Sequence, residues 1–190
     1  MEIELNAEAK DRTLNRLVAV TVVLLSVFTA VCNIKDGNLV QAMQQAKADS
    51  VDTWGEYQAT RTKSRVAENS REEIALIAAG SNAAGQARGA QATATLNTQI
   101  AKYRREAPAL AAKAKGFSDQ YDALNVHDDQ FDASEGLISA AISMAAVAAL
   151  TESFGLLAGS WGFGAFGMFM GICGFARLAF HPDILSNFLG

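Results

Sequence analysis

One uninterrupted apolar stretch limits what this chain can fold into. Residues Leu17–Ile34 read LVAVTVVLLSVFTAVCNI, eighteen residues without a charged side chain, between Arg16 and Lys35. As a helix, such a run is just long enough to cross the roughly 30 Å hydrocarbon core of a bilayer. A signal peptide would share the preceding basic residues, but the run exceeds a usual signal core and no clear cleavage site follows. We therefore expect an uncleaved transmembrane helix at residues 17–35, after a polar N-terminal tail at residues 1–16.

A second apolar block lies near the end of the chain. From Gly136 to Phe175, forty residues are interrupted only by the polar residues Thr151–Ser153. Forty residues accommodate two crossings joined by a tight turn, which predicts a transmembrane helical pair over residues 134–177 and an interfacial tail at residues 178–190. A single re-entrant hairpin is the alternative interpretation of this block. The fold class expected is an all-α integral membrane protein with three transmembrane helices.

The polar middle of the chain, residues 36–133, predicts a long helical hairpin outside the membrane. Gly80–Gly89 reads GSNAAGQARG, which is turn chemistry between two proline-poor arms. In the second arm, steps of four and three place apolar side chains at the a/d spacing of a coiled coil, although Pro108 removes one helical hydrogen bond. The residues in this frame are Leu96, Ile100, Tyr103, Ala107, Leu110, Ala114, Phe117, Tyr121, Leu124 and Phe131.

The first arm follows the same spacing less closely. The residues that fit are Val40, Met43, Lys47, Ser50, Trp54 and Tyr57, after which Arg61 and Ser64 supply no apolar side chain. Neither arm alone has a wide apolar face, so each needs a partner helix. We expect the two arms to pair as an antiparallel, coiled-coil-like hairpin and to associate laterally with other copies.

Three segments carry motifs beyond apolar periodicity. KADS is followed by Trp54, Tyr57, Gln58, Ala59 and Lys63, Lys102-Tyr103 lies in the second arm, and QFDASEGL (Gln130–Leu137) leads into the second span. Together these motifs resemble an uncharacterised family of bacterial membrane proteins, the domain of unknown function numbered 4337. The resemblance covers nearly the whole chain and implies one N-terminal span, a long helical region and a closing pair of spans. It implies no activity.

The chain departs from that family pattern in two places. Gly55, Glu56 and Thr60 stand where the family usually has Ala, Tyr and Lys. The acidic N-terminus also lacks the His-rich character that is common in the family.

Trp54, Gly55 and Tyr57 are candidate contact residues of the first arm. Trp54 and Tyr57 are three residues apart and share a helix face, and both residue types are favoured in interface hot spots. We expect the aromatic pair to be buried against a helix of the second arm or of another copy, with Gly55 permitting close approach. Recognition of a small ligand is the alternative.

Two further sets of residues are candidates for contact or binding. Asp128, Asp132 and Glu135 recur at helical spacing just before the second span. Three interpretations are open for these carboxylates. They are solvated residues of an exposed helix, an acidic ring at the mouth of an oligomeric pore, or ligands of a divalent cation. In the last span, small residues at steps of three, four and three indicate a face of close helix packing. These residues are Gly164, Gly167, Gly171 and Gly174.

Nothing in the sequence indicates catalysis. It contains no phosphate-binding loop or nucleophile elbow, both cysteines lie in apolar runs, and a net charge of −4 gives no case for nucleic acid. We expect a non-enzymatic protein without cofactor or metal. It would form a homo-oligomeric scaffold in the bacterial inner membrane, with its hairpin in the periplasm and with lipid, its own copies or another membrane protein as partners. The alternative is an oligomeric channel-like pore or transport accessory subunit with an acidic mouth near residues 128–135.

Overall fold

Three long α-helices make up the part of the chain that the structure describes. The computed structural model describes the backbone of residues 2–178 and 180, and side chains from Arg12 onward. The helices are α1 (Glu2–Ala79), α2 (Ala83–Leu150) and α3 (Phe154–Ala176). Each is long and apolar enough to cross a membrane, by length and composition. The all-helical prediction is therefore confirmed.

Both ends of the chain need a separate statement. Residues 2–16, which we expected to form a polar tail, are part of α1. The interfacial tail expected at residues 178–190 lies, apart from Leu178 and Phe180, outside the described residues.

Two short breaks separate the helices. Gly80–Asn82 lies between α1 and α2, and the remainder of the ten-residue segment expected as a turn is helical. The Asn82 side chain accepts a hydrogen bond of 3.0 Å from the Gly85 backbone N–H, which caps the start of α2. Before α3, Ser153 adopts an extended conformation and its Oγ accepts from the Leu156 backbone N–H. Both breaks thus end in a polar N-cap residue.

One face of α1 is covered along most of its length. Buried and half-buried residues recur there in alternating steps of four and three, the a/d repeat of a helix that presents one stripe to its partners. We call this stripe the α1 seam. It consists of Val18, Val22, Leu25, Thr29, Cys32, Asp36, Leu39, Met43, Ala46, Ser50, Thr53, Tyr57, Thr60, Ser64, Ala67, Arg71, Ile74 and Ala78.

The chain divides into two compact units. The terminal unit comprises Met1–Met43 with Asp122–Gly190, and the central unit comprises Gln44–Tyr121. In the central unit α1 and α2 are joined by side-chain contacts along their length. These contacts link Lys47 with the Tyr121 ring, Ser50 with Ser118, Glu68 with Arg104, and Arg71 with Asn97.

Small side chains determine which residues of α1 face α2 in the central unit. Ser50 is buried and its Oγ donates to the backbone carbonyl of Ala114 at 3.2 Å, a distance that requires the two helices to approach closely. The sequence frame placed Lys47 and Trp54 in the seam, but both are exposed. That part of the prediction is wrong because the frame followed large side chains, which would hold the helices apart.

The frame predicted for α2 agrees with the observed burial. Every residue of that frame, from Leu96 to Phe131, is buried or half-buried. α2 continues through Pro108, whose missing N–H leaves the Arg104 carbonyl without its usual helical donor. The heptad spacing therefore identified the covered face of α2 correctly.

In the terminal unit all three helices pack together. Leu25 of α1 contacts Ile138 and Ala141 of α2 in one buried cluster. The Ser160 hydroxyl of α3 donates to the Ala141 backbone carbonyl at 2.7 Å, so α3 and α2 also approach closely. The Trp161 indole N–H donates to Thr21 Oγ1 at 2.9 Å and ties α3 to α1.

The glycines of α3 lie at its contacts with the other two helices. A methyl group added at any of four of them would come within about 3 Å of a neighbouring side chain, closer than van der Waals contact allows. The added methyl carbon would lie 3.1 Å from Leu25 at position 164 and 2.7 Å from Ile138 at position 167. It would lie 2.7 Å from Phe28 at position 171 and 2.8 Å from Phe131 at position 174. This glycine face therefore contacts α1 and α2 of the same chain.

Replacing Gly167 by Ala should destabilise the terminal unit. The added methyl group would lie 2.7 Å from Ile138 and 3.1 Å from the Ser134 backbone carbonyl, which cannot rotate away. Overpacking of this kind costs about 1–3 kcal/mol. The measurement is thermal unfolding of the purified protein in detergent, followed by circular dichroism.

Gly162→Ala is the matched control on the same helix. A methyl group there meets no atom within 4 Å, so the better helix propensity of Ala should leave the unfolding temperature unchanged or raise it. Equal unfolding temperatures for the two variants would contradict the packing described.

Candidate functional site: a carboxyl pair and an exposed aromatic cluster

A pair of facing carboxyl groups lies between α1 and α2 in the terminal unit. Asp36 occupies a position of the α1 seam, and Asp128 of α2 lies close enough for each group to affect the pKa of the other. The Oδ1 of Asp36 is buried and has no hydrogen-bond partner among the described residues. Ionised carboxylates only accept hydrogen bonds, so two carboxyl groups can bond to each other only if one of them carries a proton. A proton on Asp128 would supply the donor that Asp36 lacks.

The surroundings of the pair favour its protonated form. Burial, followed by the negative charges of Asp36 and Asp132, raises the pKa of Asp128 to about 6. Burial also raises the pKa of Asp36, with a further contribution from the charge of Glu135 and an opposing one from the hydrogen bond to Asp128. Burial likewise raises the pKa of Asp132. These surroundings favour the protonated form of Asp128 in mildly acidic solution.

The structure separates the members of the predicted acidic cluster. Asp128 pairs with α1, whereas Asp132 and Glu135 are exposed on α2 and act on the pair through their charge. In the part of the chain with described side chains, no three His, Cys, Asp or Glu residues converge as metal ligands. Sequence reasoning missed Asp36. The available signal was a carboxylate at a seam position directly after an apolar run.

Trp54 and Tyr57 form an aromatic cluster at the edge of the α1 seam, where Trp54 is exposed and Tyr57 is half-buried. Their rings meet edge to face with centroids 5.3 Å apart, and the Arg61 guanidinium lies 5.7 Å above the Tyr57 ring. Arg61 also donates to the Tyr57 hydroxyl at 3.2 Å. Trp54 keeps 38% of its surface exposed, so the second arm does not bury it as we expected. The seam passes through Thr53 instead, which turns Trp54 outward.

Gly55 does not serve as a close-approach position within the chain. A methyl group at Gly55 would meet no atom within 4 Å. Contact of Gly55, Trp54 and Tyr57 with another copy remains a prediction. The four candidate glycines of α3 differ in this respect, since their contacts lie within the chain.

The amino-acid sequence matches one protein family over most of its length. A family model described as Domain of unknown function (DUF4337) matches residues 14–177. This chain belongs to the DUF4337 family. The match begins at Leu14, which is buried on α1, and ends at Arg177, the left-handed C-cap of α3. No curated protein and no solved structure matches the chain.

The DUF4337 resemblance at QFDASEGL includes a glutamine with a structural role that the sequence did not reveal. Gln130 is fully buried, and its Nε2 donates to the backbone carbonyls of Leu178, at 2.8 Å, and Phe180. Its Oε1 lies 3.1 Å from His127 Nδ1. Carbonyls beyond a helix end lack helical donors, and Gln130 supplies them for the segment that follows α3. A buried amide two residues after Asp128 thus ties α2 to the segment that follows α3.

Asp128→Asn should increase stability at neutral pH and reduce its pH dependence. The folded pKa of about 6 lies above the ordinary value of about 4. The stability that the proton provides is therefore complete below about pH 4 and is lost as the pH rises through about 6. An asparagine amide donates to Asp36 without needing a proton. The measurement is the unfolding temperature in detergent between pH 4 and pH 8.

Asp122→Asn is the control for this experiment. Asp122 is exposed on the same helix and lies outside the carboxyl cluster, so its replacement should leave the pH profile of the wild type. If Asp128→Asn and the wild type lost stability in parallel between pH 4 and pH 7, the raised pKa of Asp128 would be contradicted.

Proposed function

We propose that this DUF4337 protein crosses the bilayer three times. The outward face of α1 supports this, because only 17% of the most apolar 18-residue stretch of this helix is buried within the protein. Large apolar side chains at least half-exposed on that face are Val20, Val23, Leu24, Val27, Val31 and Ile34. α3 likewise exposes Phe163, Phe166, Phe169 and Ile172. Apolar surface of this extent is unfavourable in water and is expected where lipid surrounds a helix.

Residues 36–133 would form an antiparallel helical hairpin outside the membrane, on the periplasmic side of the bacterial inner membrane. Contacts within the central unit support the antiparallel direction, because partners come closer in sequence towards the break at Gly80–Asn82. The separation is 68 residues for Ser50 and Ser118, 36 for Glu68 and Arg104, and 26 for Arg71 and Asn97. A long polar segment of this kind translocates largely regardless of its charge.

The function we propose is a non-enzymatic, homo-oligomeric scaffold built by helix packing. The observation that carries it is the cluster of Trp54, Tyr57 and Arg61 on the outside of a paired, elongated helical unit. Trp, Tyr and Arg are the residues most enriched in interface hot spots. Packed together and partly exposed, their side chains lose less conformational entropy on association than flexible surface residues would.

An oligomeric pore is the competing proposal, and one observation favours it. Asp132 and Glu135 are exposed three residues apart at the start of the apolar end of α2, where an oligomer would bring several copies together. Asp128 contributes less to such a mouth because it is half-buried beside Asp36 of α1. Ion flux through liposomes that disappeared on replacing Asp132 and Glu135 by Asn and Gln would favour the pore over a sealed scaffold.

The mass of the particle in detergent tests the scaffold and the pore together. We expect the purified protein to form a discrete oligomer, because hot-spot clusters are favourable only when a second surface covers them. Light scattering coupled to size-exclusion chromatography measures the protein mass independently of the detergent. A strict monomer over a wide range of concentrations would overturn both proposals.

Trp54→Ala should weaken assembly and leave the fold of the monomer intact. Trp54 is partly exposed and its ring contact is with Tyr57 on the same helix, so its removal leaves no buried cavity. Hot-spot replacements cost about 2 kcal/mol or more of association free energy. Val51→Ala is the control, since Val51 is 60% exposed on the same helix. Loss of helicity in Trp54→Ala, or equal assembly of both variants, would contradict this role.

A further inference from the structure

The described residues that follow α3 lie against the helices. α3 ends at the left-handed residue Arg177, and the Leu178 backbone N–H donates to the Cys173 carbonyl at 3.0 Å. The Phe180 ring meets the Phe169 ring edge to face, with centroids 5.8 Å apart. Phe169 lies seven residues before the last residue of α3, so Phe180 lies alongside this helix rather than beyond its end.

Gln130 of α2 binds the backbone of these residues. Its Nε2 donates to the carbonyls of both Leu178 and Phe180, so both amide hydrogens are used. The side chain is fully buried, so water cannot replace either bond. The opposite orientation of the amide would set its oxygen against two carbonyl oxygens and leave buried acceptors without a donor. The two carbonyls therefore fix the orientation of the amide, and Oε1 faces away from them.

That orientation determines which nitrogen of His127 carries a proton. His127 lies one turn before Gln130 on α2, and its Nδ1 is 3.1 Å from Gln130 Oε1. An amide oxygen only accepts hydrogen bonds, so Nδ1 has to be the donor. A neutral imidazole has a single N–H, which in this arrangement is on Nδ1 and leaves Nε2 without a hydrogen.

We propose that His127 is a positioning residue for the chain after α3. Its Nδ1–H donates to Gln130 and thereby holds the Gln130 amide towards the Leu178 and Phe180 carbonyls. Without this donor the buried Oε1 would have no partner, and the docked backbone would be less stable. A relay of two α2 side chains thus secures the end of α3 within a single copy of the chain, and it requires no second copy.

Trypsin cleavage after Arg177 measures this docking. Arg177 is exposed and is the last lysine or arginine of the sequence, so cleavage there releases residues 178–190 as a peptide that mass spectrometry quantifies. A protease binds several residues of its substrate in extended form, so Leu178 has to leave Gln130 before the bond is cut. The cleavage rate then follows the fraction of molecules in which this backbone is undocked.

Gln130→Leu, a replacement of similar size, should release the peptide at least about tenfold faster than the wild type. Two hydrogen bonds are lost, and two carbonyls are left without their donor. Gln120→Leu is the matched control, because Gln120 is exposed on the same helix, and it should keep the wild-type rate. Cleavage after Arg88 in the central unit serves as the reference for general unfolding. Equal release from the two variants would overturn the docking by Gln130.

Variants of His127 test its role with Gln130 in place, and they apply even if Gln130→Leu fails to fold. An asparagine places its amide nitrogen near the position of Nδ1, whereas a glutamine places its nitrogen near that of Nε2. His127→Asn should therefore release the peptide at nearly the wild-type rate. His127→Gln should release it about threefold faster or more, because Oε1 loses its donor. The reverse order, or equal rates for the wild type and both variants, would overturn the positioning role.

The tautomer of His127 gives a readout that packing alone would not produce. In alkaline solution, where imidazole side chains are neutral, nitrogen-15 NMR of the full chain in detergent distinguishes Nδ1–H from Nε2–H. The sequence has two histidines, and His181→Gln assigns their signals. We expect the proton of His127 on Nδ1 in the wild type, and on Nε2, as in a free histidine side chain in water, in Gln130→Leu. A wild-type His127 protonated on Nε2 would contradict the relay.

Discussion

Two hydrogen bonds from serine hydroxyls to the backbone of a facing helix set the spacing on which the rest of this structure depends. Ser50 donates to Ala114 in the central unit, and Ser160 donates to Ala141 in the terminal unit. A helix carbonyl already accepts the N–H four residues later, and a serine side chain is short, so each bond forms only where two helices approach closely. Close approach excludes large side chains from the contact, and small residues therefore occupy much of it.

That exclusion determines what the molecule presents on its outside. In the central unit, Thr53 and Thr60 enter the seam, so Trp54 and Arg61 turn to one flank while Glu56 turns to the other. In the terminal unit, the glycines of α3 face inward and its phenylalanines face outward, where lipid would meet them. The surfaces proposed for membrane insertion and for assembly therefore both follow from which residues of α1 and α3 enter the helix contacts.

Asp36 lies in the α1 seam where the apolar stretch of the helix meets the polar one. Its neighbours in the seam there, Cys32 and Leu39, are apolar. A buried carboxylate without a donor is costly, and a second carboxylate beside it increases the cost unless a proton is shared. Asp128 supplies the second group, and Asp132 and Glu135 keep the local charge negative. We therefore expect the stability of the α1–α2 contact to depend on pH at this place, two residues before the fully buried Gln130 that donates to the segment after α3.

Local patterns in the amino-acid sequence are sufficient to predict the helical class, the apolar segments and the covered face of α2. Charge-free runs and heptad spacing are local properties, so residues such as Ile100 and Ala114 were predicted to be covered before any partner was known. Which residues of α1 face α2 depends instead on the packing of the two helices. Trp54 and Thr53 both fit a heptad spacing, and the choice between them depends on how closely α2 approaches. The pairing of Asp36 with Asp128 and the contacts of Gln130 with the segment after α3 likewise join residues distant in the chain. Periodicity along one helix carries no information about which residue of another helix lies opposite.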